Sequence, residues 1–219
     1  MVIAIDGPAG SGKSTTAKHA AEKLGFIHIN TGAMYRGIAL KCLEGNINPV
    51  HSSELERILS QTEFKFSGED GADLYMDGVN ISSKITKSEV TESVSQISAI
   101  PVVREKLVEY QREMAEGTDV VLEGRDIGTV VFPDAEYKFF LIADIHERAK
   151  RRMQEMEAKG EIVSVAKLAI ELKERDRKDS TREYSPLKKA EDAVEIDTTG
   201  LSINEQVNRI VGIVTKSIK

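Results

Sequence analysis

Val2-Ile3-Ala4-Ile5-Asp6-Gly7-Pro8-Ala9-Gly10-Ser11-Gly12-Lys13-Ser14-Thr15 is the stretch that decides the fold. An apolar run, a glycine-rich bend and the opening of a helical pattern follow one another directly, the context a G-x-x-x-x-G-K-[ST] phosphate loop requires. The glycines let successive backbone N–H groups turn inward as a nest for anionic oxygens. The helix behind them adds unpaired N–H groups and the positive end of its dipole. Gly7, Pro8, Ala9, Gly10, Ser11, Gly12, Lys13, Ser14 and Thr15 are therefore the expected cradle of a nucleoside triphosphate. Lys13 would reach the β- and γ-phosphates, and the Ser14 hydroxyl would take a Mg2+ position.

Outward from this loop, Ala17, Ala20, Ala21 and Leu24 form one apolar helical face, and Gly25 falls where a C-capping glycine would. Phe26 to Ile29 reads as a strand, and Thr31 could cap a helix from Gly32 to Leu43. Strand, loop, helix and strand within thirty residues make a βαβ unit, which builds parallel sheets. After a polar connection and a short helix around Glu54 to Ser60 the texture changes. Glu63 to Phe66 alternates, Gly68 to Gly71 is a turn, Asp73 to Met76 returns, and Asp77-Gly78 signals a hairpin into Val79 to Ile81. This is the pattern of a small antiparallel meander inserted into an α/β domain. Helices are expected at Ser88 to Ile100 and at Pro101 to Ala115, with Pro101 in the first turn. Val120 to Leu122 and Tyr137 to Ile142 are apolar runs of the central parallel-strand type. Asp144 with Glu147 resembles a capping box for a helix to about Ala158. A further helix runs from Ser164 to about Arg177, then polar residues lead to a strand at Ala193 to Ile196. A last helix is capped by Ser202 and Glu205.

A chain of 219 residues can bury a sizeable core in one α/β domain. No apolar run approaches the ~18 residues of a membrane span, and the first strand begins at Val2 with no signal peptide before it. The single cysteine, Cys42, excludes an intramolecular disulfide and a multi-cysteine zinc site; it reads as a small core residue. These features fit a cytoplasmic protein. A net charge of −6 argues against nonspecific nucleic-acid or membrane-surface binding, so any polyphosphate must be held by locally clustered cations.

Such clusters exist. Arg36 lies one turn into the second helix, and Arg125 and Asp126 follow the strand Val120 to Leu122. Ligands of open parallel sheets bind beyond the carboxyl ends of the strands, so these side chains should share a crevice with the phosphate loop. Arg104 begins the helix feeding that strand. A second group comprises Arg148, Arg151 and Arg152, then Arg175-Asp176-Arg177-Lys178-Asp179 and Arg182. Arg175, Asp179 and Arg182 share one helical face and lead into Glu183-Tyr184-Ser185-Pro186, as an arginine-bearing lid over phosphates would. His19, His28, His51 and His146 show no ligand spacing. The guanine-reading Asn-Lys-x-Asp sequence of GTPase switches is absent, and no catalytic base is evident. A phosphate acceptor, already ionised at pH 7, needs none.

The blocks Asp6 to Thr15, Thr31-Gly32-Ala33-Met34-Tyr35-Arg36, Gly124 to Ala135 and Glu174-Arg175-Asp176…Asp179…Arg182…Ser185-Pro186-Leu187 resemble bacterial cytidylate kinases, and the resemblance runs from the first strand to the final helix. It implies a nucleoside monophosphate kinase that uses ATP and Mg2+ to convert CMP or dCMP to the diphosphate. It implies one P-loop kinase domain: a parallel-sheet core with helices on both faces (about 1–45, 101–160 and 190–219), an inserted monophosphate-binding region (about 46–100) and a helical lid (about 160–189). By motif match, Thr31 and Tyr35 line the nucleoside site, and Arg36 and Arg125 hold the acceptor phosphate. Asp179 and Arg182 close from the lid, and Ser95, Arg104 and Asp126 match cytosine readers. Lys13, Arg125, Arg175, Asp179 and Arg182 form the expected catalytic set. The partners implied are small molecules, with no nucleic acid or membrane, and the length suits a monomer. Two departures stand out: Thr31 where many members carry serine, and Glu123 where many carry aspartate, which puts its role near Mg2+ in question. The alternatives on the residues alone are another P-loop small-molecule or monophosphate kinase, and a non-enzymatic nucleotide-binding switch.

Overall fold

The computed structural model describes residues 1–49, 52–67, 73–158 and 160–217. Strands β1 (Val2–Asp6), β2 (Ile27–Asn30), β6 (Val120–Gly124), β7 (Tyr137–Ile142) and β8 (Val194–Asp197) form one sheet in the order β2-β6-β1-β7-β8, parallel throughout. Strands β3 (Phe64–Ser67), β4 (Asp73–Met76) and β5 (Val79–Asn80) form a separate antiparallel sheet. The helices are α1 (Lys13–Leu24), α2 (Thr31–Glu44), α3 (Ser52–Gln61), α4 (Ser88–Ile97), α5 (Pro101–Ala115), α6 (Ile145–Glu157), α7 (Val165–Thr181) and α8 (Ile203–Ser217). The fold is α/β, with a doubly covered parallel sheet and an inserted meander.

The layers follow from the alternation of the central strands. Ile3, Ile5, Val121 and Phe139 pack beneath Ala17, Ala20 and Ala21 of α1 and Val207, Ile210 and Val214 of α8. Ala4, Ile29, Val120 and Leu122 pack with Ala115, Ile127 and Val131 on the other face. Because both faces are covered, these strands must be apolar along their whole length. The meander has no core of its own: Phe64, Leu74 and Met76 pack into a cluster shared with Met34 and Ile38 of α2 and Leu107 of α5.

Several boundaries differ from the sequence reading, each for a tertiary reason. Asn30, not Thr31, caps α2: its side chain accepts from Ala33 N at 3.0 Å, while Thr31 donates its hydroxyl to the Glu123 carbonyl of β6 at 2.7 Å. Helix α4 stops at Ile97, and Ile100 is extended (φ −81°, ψ 121°), as the residue before Pro101 should be. Helix α7 runs a turn beyond Arg177, carrying Lys178 on Glu174 and burying Asp179. Asp144 accepts from His146 N and Glu147 N, but Glu147 pairs with Arg151 at 3.3 Å rather than closing a capping box. Ser202 and Glu205 do close one, reciprocally. Strand β8 starts at Val194, one residue late. The turn expected at Gly68 to Gly71, and His51, lie outside the described residues.

Gly7 is the position where backbone geometry is least negotiable. It has φ +148°, and a Cβ there would lie 2.1 Å from the Leu141 carbonyl oxygen of β7. Gly25 also has a positive φ, +72°, but a Cβ there meets nothing within 4 Å. Gly7→Ala is expected to cost several times the ~1 kcal/mol of Gly25→Ala, a difference in thermal midpoint on the order of 5–10 °C for a chain of this size. Equal midpoints in calorimetry would contradict the close packing of the loop on β7.

Candidate active site

The phosphate loop bends through Gly7, Gly10 and Gly12, all at positive φ, and α1 begins with Thr16 N donating to the Gly12 carbonyl at 3.0 Å. Lys13 is buried over the loop, its Nζ donating to the Pro8 carbonyl at 2.6 Å. Burial, and then the charge of Arg125, hold its pKa well below the usual lysine range. Ser11 donates to the same carbonyl at 3.0 Å. The loop is braced from outside by residues far along the chain. Arg148 donates to the Ala9 carbonyl at 3.0 Å and to Asp176 of α7 at 2.6 Å. Asp176 in turn accepts from Ala9 N at 3.3 Å. Thr198, after β8, donates to the Ser11 carbonyl at 3.0 Å.

The carboxyl end of β6 supplies the opposite wall. Glu123 Oε2 accepts from Ser14 Oγ at 2.7 Å. Burial pushes the Glu123 carboxyl up, but His28, Lys13 and Ser14 outweigh it and the net shift is downward. After Gly124, Arg125 and Asp126 the chain enters a π-helical turn, Ile127–Val131. That turn hangs from Asp6, whose carboxylate accepts from Ile127 N at 2.9 Å and Gly128 N at 2.8 Å. Asp6 is the last residue of β1, so one side chain joins the phosphate-loop strand to the loop bearing Arg125.

These elements enclose a cleft of ≈ 930 Å³. Its wall includes Ala9, Gly10, Gly12, Lys13, Ser14 and Thr15 from the loop, and Thr31, Tyr35 and Arg36 from α2. Ser95, Arg104, Arg125 and Asp126 add to it, as do Arg175, Asp179 and Arg182. Gly7, Pro8 and Ser11 stand behind that wall as its support. The buried Arg104 Nη2 pairs with Asp126, its Nη1 donates to the Ser98 carbonyl at 3.0 Å, and its guanidinium lies 5.3 Å from the centre of the Tyr35 ring. Burial, partly opposed by Arg104, pushes Tyr35 up to about 12. Arg125 Nε donates to Asp179 at 2.9 Å, and Arg182 reaches Asp126 at 3.7 Å while donating to the Ser185 carbonyl at 2.6 Å.

The cationic run of α7 splits by face. Arg175 and Asp179 face the cleft and Asp176 grips the loop, while Arg177 and Lys178 stay exposed on Glu174. Arg151 and Arg152, with Leu201 and Gln206, line the end of the cleft beside the loop; sequence reasoning left them undecided between site and solvated helix. Among the described residues, Arg36 and Arg175 have no carboxylate or carbonyl partner, and the buried Nε of each is unpaired. Burial and then the charge of Arg125 draw Arg175 down to about 10. Burial also lowers Arg36, against the nearby Glu123. Half-buried, underpartnered guanidiniums lining one cleft are suited to anionic oxygens.

A parallel sheet ending in a glycine loop with Lys13 and Ser14 behind it, faced by arginines across a cleft, defines a P-loop kinase. Among solved structures, shikimate kinase from Bacteroides thetaiotaomicron shares the fold (TM-score 0.50, 14% identity, 98% of both chains), as does a protein of Eubacterium ventriosum (TM-score 0.53, 14% identity, 98% of both chains). The family model for cytidylate kinase matches residues 3–216. The cytidylate kinase of Caldicellulosiruptor bescii is 47% identical over 218 residues, covering 99% of this chain and 96% of its own. That of Chloroherpeton thalassium is 48% identical over 225 residues, covering 100% and 94%. The chain belongs to the cytidylate kinase family. Among the described residues no helix is long and apolar enough to cross a membrane.

Asp6 makes the site's construction testable by pH. Burial pushes its carboxyl from 3.8 up to about 6 against its two N–H donors. As pH rises from 4 to 6 the unfolded chain gives up this proton first, so stability falls. The loss is about 1.4 kcal/mol per unit, about 3 kcal/mol in all, and the curve is flat above that range. Asparagine does not titrate. In urea unfolding from pH 4 to 7, the stability gap between Asp6→Asn and the parent should move by on the order of 3 kcal/mol in the variant's favour. Parallel curves would show that Asp6 is not buried as a carboxyl.

Proposed function

We propose that this chain transfers the γ-phosphoryl group of ATP to CMP or dCMP, acting as a cytoplasmic monomer. The observation that carries this reading is the double provision of cations. Lys13 and the loop serve one polyphosphate, while Arg36, Arg125, Arg175 and Arg182 line the same cleft beyond the reach of a single nucleotide's needs. Two anionic reactants held side by side require that many charges.

In this reading Lys13 leaves the Pro8 carbonyl for the β- and γ-phosphates, and the backbone of Gly10 to Thr15 holds the donor. The Ser14 hydroxyl would hold Mg2+, its proton directed onto Glu123. When bound, the ion would supply charge neutralisation to the polyphosphate. Arg36 and Arg125 hold the acceptor phosphate, which is largely ionised at pH 7 and attacks without a base. Arg175 and Arg182 neutralise charge on the group in transit, and Asp179 orients Arg125. Thr31 and Tyr35 line the nucleoside. Asp126 accepts from the cytosine amino group, Arg104 donates to its ring acceptors, and Ser95 flanks the base. Residues 46–100 then bind the monophosphate and 160–189 close as the lid, so the chemistry consists of positioning and electrostatics in a site shut from water.

A panel of CMP, dCMP, UMP and AMP with ATP and Mg2+ should give turnover dominated by the cytidine nucleotides; AMP or UMP far ahead of CMP would sink the base assignment. Arg125→Ala should lose transfer while keeping ATP affinity, measured by calorimetry, within about twofold, because Arg125 serves the acceptor half. Lys13→Ala should lose on the order of a thousandfold in kcat, about 4 kcal/mol of transition-state stabilisation. Near-normal turnover would remove the loop from the reaction.

A further inference from the structure

His28 lies on β2 opposite Val121, one step from the Asn30–Glu123 pair of the same parallel ladder. The period of two puts its side chain on the sheet face that α1 covers, together with Val121 and Glu123. The imidazole is only 7% exposed, far below what an ordinary surface histidine shows. Its Nε2 faces Glu123 Oε1 at 3.8 Å. Among the described residues neither atom has another hydrogen-bond partner, and both are buried. An unsatisfied buried polar atom is costly, so two of them set face to face need an explanation. The other Glu123 oxygen is already engaged, accepting from Ser14 Oγ at 2.7 Å. Glu123 therefore stands as a strut between Ser14 at the head of α1 and His28 under it.

We propose that His28 is a positioning residue for phosphoryl transfer, donating Nε2–H to Glu123 Oε1 so that Oε2 stays on the Ser14 hydroxyl. The gap is about one ångström beyond a hydrogen bond, and the terminal torsion of a glutamate is soft enough to close it. With the Ser14 O–H directed at Oε2, the hydroxyl lone pairs are left free for a divalent cation held with the donor. Partners that orient the group touching a metal typically matter 10–100-fold in affinity or rate.

The inference rests on the kinase reading above, and its test separates the two. In the full chain, 15N NMR of the histidine side chains should show His28 protonated at Nε2, with that resonance moving in Glu123→Gln. This needs no turnover. In kinetics, His28→Leu should lower kcat about tenfold and raise the Mg2+ concentration giving half-maximal ATP binding in calorimetry by a similar factor. KM for CMP should stay within about twofold. His28→Gln, which keeps a side-chain N–H, should recover most of both, within about threefold of the parent. In a Glu123→Asp background, whose carboxylate is withdrawn by one methylene, His28→Leu should cost less than about twofold, since coupled residues are non-additive. Equal losses in the Leu and Gln variants, an undiminished effect beside Glu123→Asp, or an Nδ1-protonated His28 would each reduce the histidine to core packing. Absence of CMP turnover in the parent would overturn the substrate reading, while the NMR and Mg2+ titrations would still decide on His28.

Discussion

The site depends on a carboxylate taken out of water. Asp6 closes β1, and its two oxygens bind the N–H groups of Ile127 and Gly128, which belong to a segment the chain reaches more than a hundred residues later. Parallel pairing of β1 with β6 brings the two strand ends to the same level, but it does not say how the chain leaves β6. Without an acceptor for those N–H groups the π-helical turn would present unpaired backbone donors to the interior, which is costly. With it, Arg125 and Asp126 leave the strand facing the phosphate loop. The burial that pushes Asp6 up to about 6 is the cost of that rigidity, and the same strand leads directly into Gly7, whose backbone lies against β7 too closely for any side chain.

Positive charge is concentrated in the cleft although the chain as a whole carries −6. Buried guanidiniums are expensive unless paired, and the structure pairs them unevenly. Arg104 and Arg182 share Asp126, Arg125 takes Asp179, and Arg148 takes Asp176. Arg36 and Arg175 are left with the nearest negative charge belonging to another pair. A cleft built this way repels its own cations, which is why burial and Arg125 together draw Arg175 down to about 10. A doubly anionic group entering such a cleft would offset that repulsion and supply the missing hydrogen-bond acceptors.

What could be read from the sequence divides along physical lines. The phosphate loop, the Gly25 cap, the Pro101 start and the apolar central strands are local signals, and each stands where the residues put it. The hairpin at Asp77-Gly78 is of the same kind: both residues have positive φ, as its turn requires. The arginines were legible as residues of a crevice because strand ends in parallel sheets point one way. What stayed hidden depends on partners far along the chain. Nothing near Ile127 announces a π-helical turn. Thr31 has the chemistry of a cap, but β6 offers its hydroxyl a buried carbonyl and Asn30 takes the cap instead. Arg148 and Arg175 look alike in a cationic run, yet one braces the loop and the other faces the cleft. His28 carries no motif at all; its meaning comes only from the ladder that sets it beside Glu123.

Helix α7 shows how these levels combine. Its first half is anchored by Leu168, Ala169 and Leu172, which pack with Ala149 of α6 and Ala9 of the phosphate loop, and Asp176 adds a hydrogen bond to Ala9 N. Arg175 sits within that anchored stretch, so its guanidinium is referenced directly to the phosphate loop. Arg182 lies past the helix end, held through Ser185, a residue at φ +50°, and by its reach to Asp126. The two arginines thus report to different halves of the cleft, one through packing and one through a short polar loop. Backbone held by few apolar contacts opens at lower free energy than backbone packed in a core. Local opening should therefore begin at Arg182 and the residues after it, with Arg175 keeping its place beside the phosphate loop.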